Sequence, residues 1–340
     1  VTIPLESIPA FTADEALEMA RRHYGLSGGA SPLPSERDQN FCLRSGDGRR
    51  FVLKIANRDD TPELLDLQNE AMRRVAAHGA GCRVQRVVSS LRGVEIVGID
   101  DPRTGAAHLL RLFTWIDGRT LADCGRRDAG LLDSIGTALA RVDAALYGLV
   151  HPSMNRVLQW DLRRADMAHE GLGLLTGERR TRVDRIFRDW ESIDWSSLRH
   201  SVIHGDANDH NVLVDAGVMA GLLDFGDVVH SATVCDLAVA LAYVMLGEHD
   251  PLSAAAHVIH AYHRRLPLSD AEQEALYPLI LSRLGMSVCY AAHNRARNPS
   301  DPYQVVSEAA AWELLGRLAG CTAAQALSRI RDAARPDDGG

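Results

Sequence analysis

The sequence predicts an α+β protein of two lobes, a small β-rich N-terminal lobe and a larger, mostly helical C-terminal lobe, with the active site in the cleft. Three observations point there. Strand-like runs fill the first third of the chain, and from Leu121 onward apolar residues recur at helical spacing. The helical part is interrupted once, by residues 201–227, which read strand, charged loop, strand, turn, strand. At 340 residues and 46% hydrophobic, the chain can bury cores for both lobes.

The elements follow in order. Residues 13–24 carry helical spacing (Ala16, Leu17, Ala20, Tyr24) behind Thr12, a plausible N-cap. Residues 25–34, rich in Gly, Ser and Pro, read as a loop. Strands are expected over 40–44 and 50–55, joined by Ser45-Gly46-Asp47-Gly48, a strong hairpin signal. A helix opens at Thr61-Pro62-Glu63, with Pro in its first turn, and ends at His78-Gly79. Three more strands, 84–89, 94–99 and 108–115, complete a small sheet. Helices are then expected over 131–149, 182–190, 235–246, 253–264, 270–297, 303–318 and 322–334. Residues 157–164 include Trp160 and Asp161, placed at a helix start. The run 235–246 is nearly all apolar and so buried, with Asp236 at its start as a cap or as a brace for the loop before it.

The interruption carries the chemistry. Its first polar cluster is His204-Gly205-Asp206, with Asn211 five residues after Asp206; the second is Asp224-Phe225-Gly226. Both lie where short strands give way to loops, the usual place for functional side chains. Phosphoryl transfer needs a carboxylate to orient the attacking hydroxyl and accept its proton, and oxygen ligands for Mg²⁺ on a nucleoside triphosphate. Asp206 suits the first role, Asn211 and Asp224 the second. The bland alternative is two ordinary turns rich in Asp and Gly. Lys54 is the only lysine in the chain, where every other basic residue is Arg or His. A compact ammonium on a flexible stem suits a pair of phosphates in a way a planar guanidinium does not.

These motifs resemble the aminoglycoside phosphotransferase and choline kinase superfamily, whose fold is protein-kinase-like. The run H-G-D-A-N-D-H-N-V-L-V, followed by G-L-L-D-F-G-D and D-L-A-V-A-L-A-Y, is most similar to its hydroxylysine kinase branch and to the kinase domains fused to class III aminotransferases. Protein kinases have H-R-D where this chain has His204-Gly205-Asp206, and no A-P-E follows Asp224-Phe225-Gly226. The resemblance implies a nucleotide-binding lobe over 1–116, and over 117–340 a lobe with catalytic loop, metal site and acceptor pocket. It implies Mg²⁺ and ATP or GTP, with Lys54 on the phosphates, Glu70 holding Lys54, and a nucleotide-covering loop around 35–40. The backbone near Trp115 would take the nucleobase edge, though Trp115 reads equally as core. Glu70 reads otherwise as a surface carboxylate for Arg73 or Arg74. His204 is expected to brace the loop. Asp209, Trp160, Asp161 and Arg283 are acceptor candidates, Arg283 as a hook for an amino-acid carboxylate; each has a plain structural alternative.

Composition narrows the partners. A net charge of −8 and a pI near 6.0 argue against nucleic-acid binding. The longest clean apolar stretch, 237–246, is far short of a bilayer span, and no signal peptide is expected at the N-terminus. Six scattered cysteines without C-x-x-C fit a reducing cytoplasm. Between His204 and Asp250 stand eight carboxylates and no Lys or Arg, so the local field is expected to be negative and to favour an ammonium-bearing acceptor. The expected function is transfer of the γ-phosphoryl group of ATP or GTP to a hydroxyl of a small amine-bearing acceptor. The alternatives are an aminoglycoside O-phosphotransferase and a non-catalytic nucleotide-binding pseudokinase module.

Overall fold

The computed structural model describes residues 9–35, 37–297 and 308–335, arranged as two compact units. The first takes in the chain up to Ala76 together with Val84–Ile116; the second holds Ala77–Arg83 and the chain from Asp117 on. A cut after residue 116 alone leaves 77–83 in the first unit. Arg83 accounts for the regrouping, because its guanidinium donates to the carbonyls of Asp117 (2.7 Å) and Ala220 (3.4 Å).

In chain order the elements up to residue 116 are α1 (Ala13–Tyr24), β1 (Gly28–Leu33), β2 (Gln39–Ser45), β3 (Arg50–Ile55), α2 (Pro62–His78), β4 (Arg83–Val84), β5 (Val87–Val88), β6 (Val97–Asp100) and β7 (Ala107–Thr114), with the end of α2 and Arg83 of β4 falling in the second unit. An antiparallel sheet runs β1-β2-β3-β7-β5, with β6 also on β7. Helix α1 starts in a capping box between Thr12 and Glu15 and stops at Gly25, whose φ is +67°. It buries Ala16, Ala20 and Tyr24 with Phe41, Leu43, Phe51, Leu53 and Leu112 of the sheet. Each fully buried large apolar side chain there contributes about 1.5–3 kcal/mol. Strand β1 corrects the expected loop: its composition is poor for a strand, but its backbone pairs along the edge of β2 from Gly28↔Ser45 to Leu33↔Asn40. Gly28 has to be glycine, since a Cβ there would lie 2.0 Å from the carbonyl oxygen of Arg44. On β3 the core takes Phe51, Leu53 and Ile55, so period-two alternation turns Lys54 to the other face.

The second unit contains β8 (Arg119–Thr120), α3 (Ala129–Leu146), α4 (His169–Leu172), α5 (Gly177–Glu191), β9 (His200–Ile203), β10 (Val212–Asp215), β11 (Val218–Leu222), β12 (Val229–Ala232), α6 (Val234–Val244), α7 (Pro251–His263), α8 (Asp270–Arg297), α9 (Glu308–Leu318) and α10 (Ala323–Ala333). Strand β10 pairs with β8 and β11, and β9 with β12. Every residue of α6 is buried, as its composition required. The 28 residues of α8 are long and apolar enough to cross a membrane, yet the helix is mostly buried and packs against α4, α5, α6, α9 and α10, the position of a core helix. The helix expected over 157–164 is instead a loop and a 3₁₀ helix, Leu162–Ala168, because Asp161 caps at that point and starts the helix late. Residues 303–307 of the expected helix 303–318 lie outside the described residues.

Candidate active site

The catalytic loop hangs between two braces. The backbone N–H groups of His204 and Gly205 donate to the two carboxylate oxygens of Asp236, at 3.2 and 2.7 Å. Asp236 is fully buried at the start of α6, so of its two expected roles it takes that of brace. His204 is also fully buried. Its Nδ1 accepts the N–H of Asp206 (3.2 Å), which leaves Nε2–H to donate to the carbonyl of Leu223 (2.9 Å). One neutral imidazole thus ties Asp206 to the residue before Asp224, as a brace and not a base. Gly205 has φ +81°, and a Cβ on it would stand 2.8 Å from the carbonyl oxygen of Asp227. That close approach excludes the arginine that protein kinases carry there.

Behind Asp236 lies a polar layer the sequence did not signal. Asp143 of α3 is fully buried, and Tyr262 of α7 donates its hydroxyl to Asp143 Oδ2 at 2.5 Å. Burial first, then the adjacent Asp236 carboxylate, pushes the Asp143 carboxyl well above the usual range and favours its neutral acid form.

Asp206 is held at both oxygens. Its Oδ2 accepts from the side-chain amides of Asn208 and Asn211, each at 2.9 Å, and Asn211 donates to the Asp206 carbonyl as well. Its Oδ1 accepts from Arg283 Nη2 at 2.6 Å. Arg283, only 2% exposed, also donates to the Trp160 carbonyl (3.2 Å), with its guanidinium 4.4 Å from the Trp160 ring centroid and 5.5 Å from that of Tyr243. This corrects the expected carboxylate hook: the guanidinium is already paired, with Asp206. Burial raises the Asp206 carboxyl above the ordinary aspartate range; Arg283 pulls it back down, and Asp227 and Asp224 push it up again.

The metal candidates are brought together by strand pairing. Val212 opposes Leu222, and Leu223 N–H donates to the Asn211 carbonyl at 2.9 Å, so Asn211 and Asp224 emerge at the same end of β10 and β11. Asp224 is exposed, sits at φ +54°, and its Oδ1 accepts the N–H of Gly226 (3.0 Å). A non-glycine residue in that region costs about 1–2 kcal/mol, a strain typical of functional positions. Asn211 commits its amide nitrogen to Asp206, which leaves its carbonyl oxygen as the end that could ligate a metal. Among the described residues no group of three or more His, Cys, Asp or Glu could hold a metal. Two oxygen donors fit Mg²⁺, which keeps water and phosphate oxygens as its remaining ligands.

In the first unit, Lys54 is 13% exposed and its ammonium meets Asp38 at 2.9 Å; Asp38 is fixed in turn by the N–H of Asn57 (2.9 Å). Glu70 pairs with Arg73 and Arg74 on its own helix, so among the described residues Asp38 is a carboxylate at the lysine in place of the expected Glu70. The register explains it: Asp38 precedes β2, whose Asn40 lies directly across from Lys54. Trp115 is half-buried under the guanidinium of Arg50, 4.7 Å away.

The remaining candidates take other places. Asp161 caps the 3₁₀ helix through the N–H of Arg163 and accepts from Ser231 (2.6 Å), which makes it structural. Asp209 is buried; burial raises its carboxyl, while His210, Arg127 and Asp123 are the charges it feels. Trp160 stays at the site as the platform under Arg283. The all-negative field read from residues 204–250 needs correcting too. Arg283 enters it from α8, and Arg156 donates to the carbonyl of Gly226 (3.0 Å), both from outside the stretch that was counted.

The sequence profile of the phosphotransferase enzyme family (APH) matches residues 29–278. The hydroxylysine kinase of Mus musculus is 28% identical over 338 residues, covering 91% of this chain and 90% of that protein. Two solved kinases share the fold. An amicoumacin kinase in complex with AMP-PNP, Ca²⁺ and Ami aligns with a TM-score of 0.69 at 17% identity, covering 90% of this chain and 94% of its own. A microcompartment-associated aminopropanol kinase aligns with a TM-score of 0.65 at 17% identity, covering 93% and 97%.

Proposed function

The chain belongs to the phosphotransferase enzyme family and is a small-molecule kinase, and we propose that its acceptor is hydroxylysine or a close amine-bearing alcohol, with ATP as donor. The observation that carries the reading is the loop itself: hydrogen bonds of 2.9 Å tie Asn211 to Asp206 and the residue before Asp224 to Asn211, which supports these three as the set that hydroxyl-directed phosphoryl transfer would use. The extent of the mouse relative's match supports the acceptor. No residue set favours GTP.

In this reading Asp206 orients the acceptor hydroxyl and takes its proton as the oxygen attacks the γ-phosphorus. Asn211 Oδ1 and the Asp224 carboxylate would hold Mg²⁺, whose chemistry is to neutralise charge on the transferring phosphoryl group. Lys54 meets the phosphates with a point charge, and Asp38 keeps it in place beforehand. Asp227 and Asp224 remain the acidic neighbours of the reacting centre and favour an ammonium on the acceptor. A reducing, cytoplasmic setting suits the six free cysteines.

The test is ADP release with Mg²⁺-ATP across 5-hydroxylysine, 1-amino-2-propanol, ethanolamine and kanamycin, each amine beside its N-acetyl form. Hydroxylysine should be the best acceptor, and N-acetylation should lower kcat/KM at least about tenfold, roughly 1.4 kcal/mol. Equal turnover of an amine and its N-acetyl form would remove the charge argument; activity on kanamycin alone would replace the acceptor.

A further inference from the structure

We propose that Arg283 is a positioning residue for Asp206 and does not read the acceptor's carboxylate, an inference that rests on Asp206 being the group that meets the hydroxyl. Both terminal nitrogens of the guanidinium are engaged, while the buried Nε has no hydrogen-bond partner among the described residues. Nη2 donates to Asp206 Oδ1 at 2.6 Å and Nη1 to the Trp160 carbonyl at 3.2 Å. Its central carbon lies 4.4 Å from the Trp160 ring centroid and 5.5 Å from that of Tyr243. Trp160 is itself held edge-on by Tyr290, 4.7 Å away, whose hydroxyl donates to the Gln159 carbonyl at 2.7 Å. At 2% exposure, withdrawing this group towards a ligand would leave a buried charge without its partner on each side.

What the arrangement does is fix a carboxylate. Arg283 holds Oδ1 while Asn208 and Asn211 hold Oδ2, so the Asp206 side chain has one orientation available. Each carboxylate oxygen offers about two lone-pair directions, so a position for the acceptor's proton remains after these bonds are made. Arg283 also supplies the cation in direct contact with Asp206. A lysine could supply the charge but neither the two-point reach nor the flat face that stacks on Trp160. The acceptor therefore finds a base already aimed, whether or not it carries a carboxylate of its own.

The two roles part on one comparison. Wild type, Arg283→Met and Arg283→Lys are assayed with 5-hydroxylysine and with 1,5-diamino-2-pentanol, the same acceptor without its carboxylate. Binding of a fluorescent ATP analogue is followed in parallel. A positioning role predicts that kcat falls for both acceptors alike, by about 100-fold in Arg283→Met, the scale of a misplaced catalytic group. It also predicts acceptor KM and nucleotide affinity within about threefold of wild type, and partial recovery of kcat on adding guanidinium chloride at low millimolar concentration. A KM increase confined to hydroxylysine, with the diamino alcohol unaffected, overturns the proposal and restores the carboxylate hook. Near-wild-type kcat in Arg283→Met overturns it as well. If that variant fails to fold, Arg283→Lys is judged on the same division between kcat and KM. The wild-type arm tests the acceptor and the variant arm tests Arg283. If wild type turns over a different amino alcohol, the kcat loss is read on that compound, and the two ideas fail separately.

Discussion

Two ion pairs, one in each unit, hold the charges on which the proposed chemistry depends, and they are built differently. Lys54 and Asp38 are each 13% exposed, and the turn that carries Asp38 is held from Asn57, whose N–H donates to Asp38 and whose side-chain amide donates to the carbonyl of Arg37. Arg283 is 2% exposed at the middle of α8, stacked on one aromatic ring beside a second, and bonded to a backbone carbonyl besides Asp206. A phosphate can replace Asp38 at little cost, since it brings equal or greater charge to a partly hydrated ammonium. Nothing of comparable geometry can replace Arg283 without opening the packing of α6 and α8. The first pair therefore suits a binding charge that must change partners, the second a charge that must not.

The sharpest break is Asp206→Ala. It removes the group at the reacting hydroxyl, so kcat should fall about 1000-fold or more while ATP affinity stays within about threefold, measured by single-turnover assay and nucleotide titration. Retained kcat would mean the base is elsewhere. Next comes Lys54→Arg, which keeps the charge and loses the point contact; kcat/KM for ATP should drop at least about 30-fold. Activity within about threefold of wild type would reduce Lys54 to a generic cation.

Asp143→Asn probes the layer behind the rigid pair. The folded-state pKa of Asp143 is raised, so its contribution to stability is present below the unfolded value and is lost as pH rises through the folded one. Asparagine can keep the bond from Tyr262 and face Asp236 without that proton to lose. Thermal midpoints of wild type and variant should diverge above about pH 4, wild type losing at most about 1.4 kcal/mol per pH unit relative to the variant. Parallel curves from pH 4 to 8 would count against a neutral Asp143. The smallest effect is expected for Asp38→Asn. If Asp38 only parks the lysine, KM for ATP should change by less than about threefold, and downward. A loss as large as that of Lys54→Arg would show that the Asp38 pair is as fixed as the Arg283 pair.

What the sequence determined by itself was whatever depends on neighbours a few residues away. Within the loop that carries Asp206, the bonds from Asn208 and Asn211 join residues two to five apart and so were visible as spacing, whereas its braces from Asp236 and Leu223 span 19 to 32 residues. Helix α1 was legible from Thr12 and the apolar spacing that follows it, and the interior position of α6 from its unbroken apolar run. The partners of the key charges were decided only by tertiary structure. Asp206 meets Arg283 from 77 residues away, and Asp143 meets Tyr262 from 119. Lys54 meets Asp38 because β2 runs beside β3, while Glu70 turns to arginines on its own helix. β1 and β12 exist through pairing with β2 and β9 more than through their own composition. Counting charges along residues 204–250 failed for the same reason: a local window sees carboxylates fixed by the loop, but not an arginine that helix packing delivers from α8. Spacing encodes short-range geometry, whereas a buried ion pair is chosen by which surfaces pack, and that choice is made by the whole fold.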